Sequence, residues 1–213
     1  MTPKQFVTAG GAVTVSAAIV LAAALFTGPR LQANGDDRDG DEAKVRRGFE
    51  IAPVTLTLTH KNRALVGLGS YIVNAQAHCN GCHSAGPQTE FVVGGNPFFG
   101  QPMIENPATY LGGGRDFGPF PGPASPTHIV SRNLTPDQSG LPIGGDTFLN
   151  FRHVIRTGMD PDSLHLGLPA PFNGALLQIM PWTNYQNMTD RDLRAIYEYL
   201  SAIPCIASAG HVC

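Results

Sequence analysis

Cys79, Cys82 and His83 fall within five consecutive residues, Cys79-Asn80-Gly81-Cys82-His83. Two thiols one helical turn apart, followed at once by an imidazole, suit covalent attachment of a porphyrin. The sulfurs add to the two vinyl groups on one edge of the ring, and the imidazole then ligates the iron. Gly81 fits because the backbone runs close to the macrocycle there. Two other chemistries use paired cysteines. A thioredoxin-like pair needs a strand before it and no histidine after it. A zinc site needs a second close pair of Cys or His ligands. The remaining cysteines, Cys205 and Cys213, are far along the chain and eight apart. The motif occurs once, so one haem c is expected.

An iron held by His83 has a second face, and its ligand decides the function. A protein side chain there makes an electron carrier; an open position makes a haem enzyme or a gas sensor. Met180 is the best-placed candidate. Pro181 follows it and fixes the backbone, and the apolar run Ala175-Leu176-Leu177-Gln178-Ile179 precedes it. Met188 fits a hydrophobic staple before the last helix instead. Met103 and Met159 lie in loops, and His60, His78, His128, His153, His165 and His211 lack a comparable context. Trp182, two residues after Met180, either hydrogen-bonds a haem propionate through its indole N–H or simply packs. Arg115, after three glycines, either pairs with a propionate or faces solvent. Gly112-Gly113-Gly114-Arg115 is no phosphate loop, because the Gly-Lys-Ser/Thr ending is missing.

These residues need elements to hold them. Leu65, Leu68, Ile72 and Ala75 follow one helical face and predict a helix over about Asn62–Ala77, leading directly into Cys79. Gly69 beside that face would let another helix cross closely, with Tyr197 or Leu200 expected near it. Asp146 is placed to cap a second helix over about 147–157, with Gly158 ending it. Thr189 and Asp192 form a weak capping box for the last helix, about 190–202, whose face is Leu193, Ile196, Tyr197, Leu200 and Ile203. Pro204 stops it. Residues 86–145 are dense in glycine and proline. Phe91, Phe98, Phe99, Tyr110, Phe117 and Phe120 are spread among them, so loops packed on something apolar are expected rather than disorder. Residues 49–59 should lie extended across the domain. The Asn133-Leu-Thr and Asn187-Met-Thr triplets read as accidental sequons.

The N-terminus sets the compartment. After Lys4 an apolar stretch runs from Phe6 to Phe26. Its length suits a spanning helix of about 20 residues. Leu31-Gln32-Ala33 is a loose cleavage site for a secretory signal. Residues 1–29 are therefore a signal peptide or a membrane anchor. Either places the rest on the periplasmic side of a bacterial inner membrane. Residues 30–48, dense in Asp and Arg, read as a flexible linker, and 49–213 as the haem domain. A Cys205–Cys213 disulfide is plausible in that oxidising compartment.

Composition agrees with a loop-rich domain. The 213 residues include 25 glycines, 18 prolines and only 14% charged side chains. A net charge of -2 gives no electrostatic case for nucleic acid.

The motifs together carry a resemblance. Cys79-x-x-Cys82-His83, Asn133-Leu-Thr-Pro-Asp137, Arg156-Thr-Gly158, Met180-Pro181 and Asp192-Leu-Arg-Ala-Ile-Tyr-Glu-Tyr-Leu200 resemble monohaem cytochrome c domains. They are most similar to the haem domains in cytochrome subunits of bacterial alcohol and sugar-acid dehydrogenases. The similarity covers about Leu65 to Pro204. Those subunits usually carry three such domains, and this chain has one attachment motif. The resemblance implies a mainly α cytochrome c fold, three or more helices around one haem, with a long Gly/Pro-rich insertion and an N-terminal hydrophobic helix. It implies His83 and Met180 as axial ligands. It also implies an electron carrier working between a periplasmic dehydrogenase and a terminal oxidase or another cytochrome.

Overall fold

The computed structural model describes residues 36–161 and 168–213. The apolar stretch Phe6–Phe26 and His165 lie outside the described residues. The helices that build the core and the site are α1 (Asp36–Ile51), α2 (Arg63–Tyr71), α3 (Asn80–His83), α4 (Phe148–Thr157), α5 (Trp182–Tyr185) and α6 (Asp190–Leu200). A π-helical turn, Ile72–Gln76, continues α2 toward the cysteines. Two short antiparallel strands, β1 (Asp116–Pro119) and β2 (His128–Val130), interrupt the Gly/Pro-rich insertion. That hairpin was not legible in the sequence. Among the described residues no helix is long and apolar enough to cross a membrane.

The three predicted helix starts hold to within one residue, and the capping residue differs at one of them. The Asn62 side chain accepts from the Leu65 N–H at 3.2 Å. The Thr189 hydroxyl oxygen accepts from the Asp192 N–H at 3.1 Å and donates to the Asp192 carboxylate at 2.8 Å. At α4 the cap is Thr147, which accepts from the Asn150 N–H, rather than Asp146. Asp146 is used elsewhere: its carboxylate lies 3.2 Å from the Arg132 guanidinium. Gly158 ends α4 in the left-handed region, as expected, with φ 72°.

The core lies where α2 and α6 cross. Val66, Leu68, Ile72 and Val73 meet Leu193, Ala195, Ile196, Tyr199 and Leu200, all buried. Gly69 sits at the crossing. A Cβ on it would lie 1.9 Å from the Ala195 carbonyl oxygen and 2.7 Å from Tyr199 Cβ. The contact is thus to Ala195 and Tyr199, not to the expected Tyr197 or Leu200. Tyr197 instead hydrogen-bonds the Asp146 carbonyl at 2.8 Å and meets the Phe148 ring edge-on.

The charged segment read as a flexible linker is helical from residue 36 and docks on the core. A Cβ on Gly48 would lie 1.9 Å from the Gly67 carbonyl oxygen, and Val45 and Phe49 pack over Gly67. The Ser70 hydroxyl donates to the Gly48 carbonyl at 2.7 Å. Charge density dominated the sequence pattern there, and one apolar pair four residues apart with a facing glycine was enough to outweigh it. Of the residues expected to be extended, 49–51 belong to α1, and the chain runs extended beyond it. Val54, Leu56 and Leu58 lie against the core, and the Thr57 N–H donates to the Ala202 carbonyl at 2.8 Å.

The Cys205–Cys213 disulfide is formed. Its loop is held by Asn133 and Thr135. The Asn133 amide donates to the Ile206 carbonyl at 2.7 Å, and the Thr135 hydroxyl oxygen accepts from the Ile206 N–H at 3.0 Å. Asn133 is buried, so its triplet has a structural role.

Gly69→Ala should cost at least about 3 kcal/mol in urea unfolding, because the added methyl meets backbone that cannot rotate away. Gly40→Ala, where a Cβ meets nothing within 4 Å, should instead add about 0.5–1 kcal/mol. Equal effects at the two positions would contradict the crossing described.

Candidate functional site

The Cys79–His83 turn, expected to attach the haem, is helical, and that sets the sulfurs. The His83 N–H donates to the Cys79 carbonyl at 2.9 Å and the Cys82 N–H to the same oxygen at 3.2 Å. Cys79 and Cys82 are both free thiols, one half-buried and one exposed. Burial, then the neighbouring Cys82, pushes the Cys79 thiol up to about 12. It is therefore a neutral thiol, unlike the low-pKa thiol of a redox Cys-x-x-Cys pair. Cys205 and Cys213 are spent on their disulfide and cannot complete a zinc site. Among the described residues no group of three or more His, Cys, Asp or Glu side chains is arranged to hold a metal ion.

His83 is oriented from behind. Its Nδ1 lies 2.8 Å from the Arg132 carbonyl oxygen. A carbonyl can only accept, so Nδ1 carries the proton and Nε2 keeps its lone pair. Burial, aided by the Arg132 guanidinium, holds the imidazole below its ordinary range; the carbonyl bond works the other way. A neutral ring with Nε2 free is the form a metal takes. Strand β2 delivers Arg132 to this position. The Arg132 guanidinium is fixed in turn between Asp146 at 3.2 Å and Asp160 at 3.1 Å. The sequence singled out none of these three for the site. Their only signal was charge near a Gly/Pro-rich insertion.

The loop after Tyr110 closes the other end of the turn. The Gly113 N–H donates to the His83 carbonyl at 2.6 Å, and the Leu111 N–H to the Asn80 side chain at 2.9 Å. Gly113 has φ 67°, and a Cβ there would lie 2.4 Å from the Asn133 nitrogen. The three glycines therefore let two backbones approach. The Arg115 guanidinium donates to the Gly81 carbonyl and stands 4.8 Å from the Phe117 ring centroid. It is neither solvent-facing nor idle, and it lies beside the attachment turn.

Met180 is half-buried and packs on the core. It lines a cleft of about 430 Å³ with Phe172, Leu176, Leu177, Ile179 and Trp182. The next segment returns to the attachment turn. The Tyr185 hydroxyl donates to the Ala77 carbonyl at 3.4 Å, and burial together with Cys79 and Cys82 raises its pKa. Trp182 does not offer its N–H to the site: it donates to the Leu177 carbonyl at 3.2 Å. Its ring lies over Gly158, where a Cβ would come within 2.3 Å of it. Arg156 ties the same segment down through the Gln186 carbonyl and Asp190. Of the rival histidines, His128 faces Asp116 at 2.8 Å and His211 sits near the Pro136 carbonyl at 3.1 Å. Met103 and Met159 are exposed.

Two buried carboxyls flank the turn and were not singled out by the sequence. Glu90 and Glu105 are 7% and 6% exposed. Burial, then the Glu90 charge, raises the Glu105 pKa from 4.5 to about 7.

No family model matches the chain. Curated relatives do. The chain is 31% identical over 139 residues to the gluconate 2-dehydrogenase cytochrome c subunit of Pantoea cypripedii, covering 65% of this chain and 23% of that one. It is 27% identical over 148 residues to the fructose dehydrogenase cytochrome subunit of Gluconobacter japonicus, covering 70% and 23%. A shorter match, 36% over 73 residues, links it to a nicotinate dehydrogenase subunit of Pseudomonas putida, with 34% and 5% covered. The expected resemblance to cytochrome subunits of bacterial alcohol and sugar-acid dehydrogenases is borne out at the level of dehydrogenase cytochrome subunits, here those of a gluconate and a fructose dehydrogenase. The chain spans about a quarter of the length of those two relatives.

The Glu105 shift has a pH consequence. The folded protein binds its proton more tightly than the unfolded chain does. The associated stability is full below about pH 4.5 and is lost as pH rises through about 7. Glu105→Gln should remove that loss, on the order of 2–3 kcal/mol. In urea unfolding the variant should gain on the wild type between about pH 5 and 8. A constant difference across that range would refute the shift.

Proposed function

We propose that this chain is an electron-transfer protein carrying one covalent haem c, bonded through Cys79 and Cys82 and held at iron by His83 and Met180. The observation that carries the reading is the His83 Nδ1 bond to the Arg132 carbonyl, one residue beyond two unpaired thiols. It leaves Nε2 as a pre-oriented donor. The haem supplies a one-electron iron couple, and a His/Met ligand pair raises its potential relative to two nitrogens.

The protein's own part is to hold both ligands still while the electron count changes. His83 is fixed by its own carbonyl partner and by Gly113. Met180 sits on a segment held by Trp182 over Gly158, by Arg156, and by Tyr185 at Ala77. That return of the chain to the attachment turn supports Met180 as the second ligand. Arg115 gives Gly81 one of its donors and has others left for a propionate. Trp182 is not proposed for that role, since its single N–H is used.

The N-terminal apolar stretch supports a place outside the cytoplasmic membrane, anchored or released. The relatives' names support a dehydrogenase as electron donor. The acceptor would be a terminal oxidase or another cytochrome. Electron-transfer contacts are often small and transient, under about 1,200 Å². In this reading the chain is a carrier rather than an enzyme.

Pyridine haemochrome analysis of the denatured protein should show one haem that acidified organic solvent does not extract. The ferric protein should show the near-infrared band of a thioether on iron, and Met180→Ala should abolish it. Extractable haem ends the covalent reading. A high-spin wild-type spectrum at neutral pH would favour an open-site enzyme or sensor, and a band surviving in the variant would assign the ligand elsewhere.

A further inference from the structure

We propose that Glu90 and Glu105 form a redox-linked proton site: the pair takes up protons from solvent as an electron reaches the haem from a donor protein. The inference rests on the reading of a haem at Cys79–His83.

The pair is built by backbone pairing. Phe91 and Glu105 form an antiparallel bridge, and the Asn106 N–H donates to the Glu90 carbonyl at 2.9 Å. Both side chains are more than nine-tenths buried. One oxygen of each, Glu90 Oε1 and Glu105 Oε2, has no hydrogen-bond partner, and neither has the buried Asn80 Nδ2. An ionised carboxylate in that position is costly, and two that share a site cannot both ionise freely. Among the described residues His78, 3.2 Å from Glu90 Oε1, is the one cationic group within ion-pair distance of either carboxyl; Glu105 has none, so a proton is its available counter-charge.

The pair also touches the attachment turn. Glu90 Oε1 lies 3.6 Å from where a Cβ on Gly81 would sit, and 3.2 Å from His78 Nε2. The titratable and charged groups bearing on the pair come from three elements. His78 and Cys79 belong to the turn; the Cys79 sulfur loses its proton for good once it is bonded to haem. Arg115 comes from the glycine loop and is engaged at the Gly81 carbonyl. Tyr110 and Tyr199 come from the loop and from α6. They hydrogen-bond each other at 2.8 Å, and burial raises both, with Glu105 adding to each. Of these groups His78 is the half-exposed one, which makes it the entry for the proton.

Reduction adds one negative charge beside the pair. That favours the protonated carboxyl, so its pKa is higher in the reduced protein than in the oxidised one. Protons then favour reduction, and the potential falls as pH rises between the two pKa values. Each carboxyl that takes up a proton becomes a neutral carboxylic acid beside a ferrous iron. A linkage of about tenfold corresponds to a pKa difference of about one unit and to about half a proton per electron at the middle of the window. Burial already places the Glu105 titration at about 7, so the window lies near neutrality.

Spectroelectrochemical titration of the full haem-loaded chain at several pH values tests this. At a fixed potential, the reduced-to-oxidised ratio of the wild type should fall about tenfold in total from about pH 5.5 to 8.5. Glu105→Gln should be flat over that range. Glu90→Gln should move the window to lower pH, because the like charge that raises Glu105 is gone. A Glu105→Gln protein with the wild-type slope overturns the proposal. Should that variant not fold, reduction-induced infrared difference spectra of the wild type decide. A protonated-carboxyl C=O band that shifts with isotopically labelled glutamate supports the site, and its absence overturns it. Pyridine haemochrome on the same sample separates a missing haem, which would sink the functional reading, from a missing proton.

Discussion

With no side chain at Gly69, the backbones of α2 and α6 come so near that an added Cβ would lie 1.9 Å from the Ala195 carbonyl. The same helix takes α1 on another side, through Gly48 and Gly67. α2 is thus clamped between two helices along its length. The π-helical turn and Cys79, next along the chain, inherit that position. In the proposed haem attachment this turn has to meet a rigid planar group with two bonds and an iron ligand at once. Its approach must therefore be fixed before the group arrives, and a close helix crossing does that with backbone rather than with adaptable side chains.

The turn itself is too short to satisfy its own polar groups. A helix end leaves carbonyls without partners, and here the Gly/Pro-rich insertion supplies them. Gly113 takes the His83 carbonyl, Arg115 the Gly81 carbonyl, and Asn80 accepts the Leu111 N–H. The insertion also supplies the Arg132 carbonyl that orients the imidazole. Its low content of regular structure follows from this task. Carbonyls and N–H groups aimed at a neighbour are not free for a sheet, and the chain needs left-handed turns to aim them.

The Met180 side works differently. Here the chain is held by a few large contacts: an indole over Gly158, the Arg156 guanidinium on a carbonyl and a carboxylate, and a tyrosine reaching Ala77. In the sequence Gly158 was visible only as a helix stop and Arg156 only as part of a recurring pattern. Both also seat the Met180 segment, a second use that becomes visible only when distant stretches are placed together.

The chemistry-bearing turn, the helix starts at Asn62 and Thr189, the stop at Gly158 and the disulfide cysteines were legible in the amino-acid sequence alone. Each depends on residues within about one helical turn, or on spacing imposed by covalent geometry. The docking of α1, the β1–β2 hairpin, the Arg132 carbonyl behind His83 and the buried Glu90–Glu105 pair were not. Each joins residues distant in the chain through backbone atoms or through burial, and neither leaves a periodic trace in side-chain types. Local pattern determined which residues could hold an iron porphyrin; tertiary packing decided which carbonyl orients the imidazole and which carboxyls lose their water.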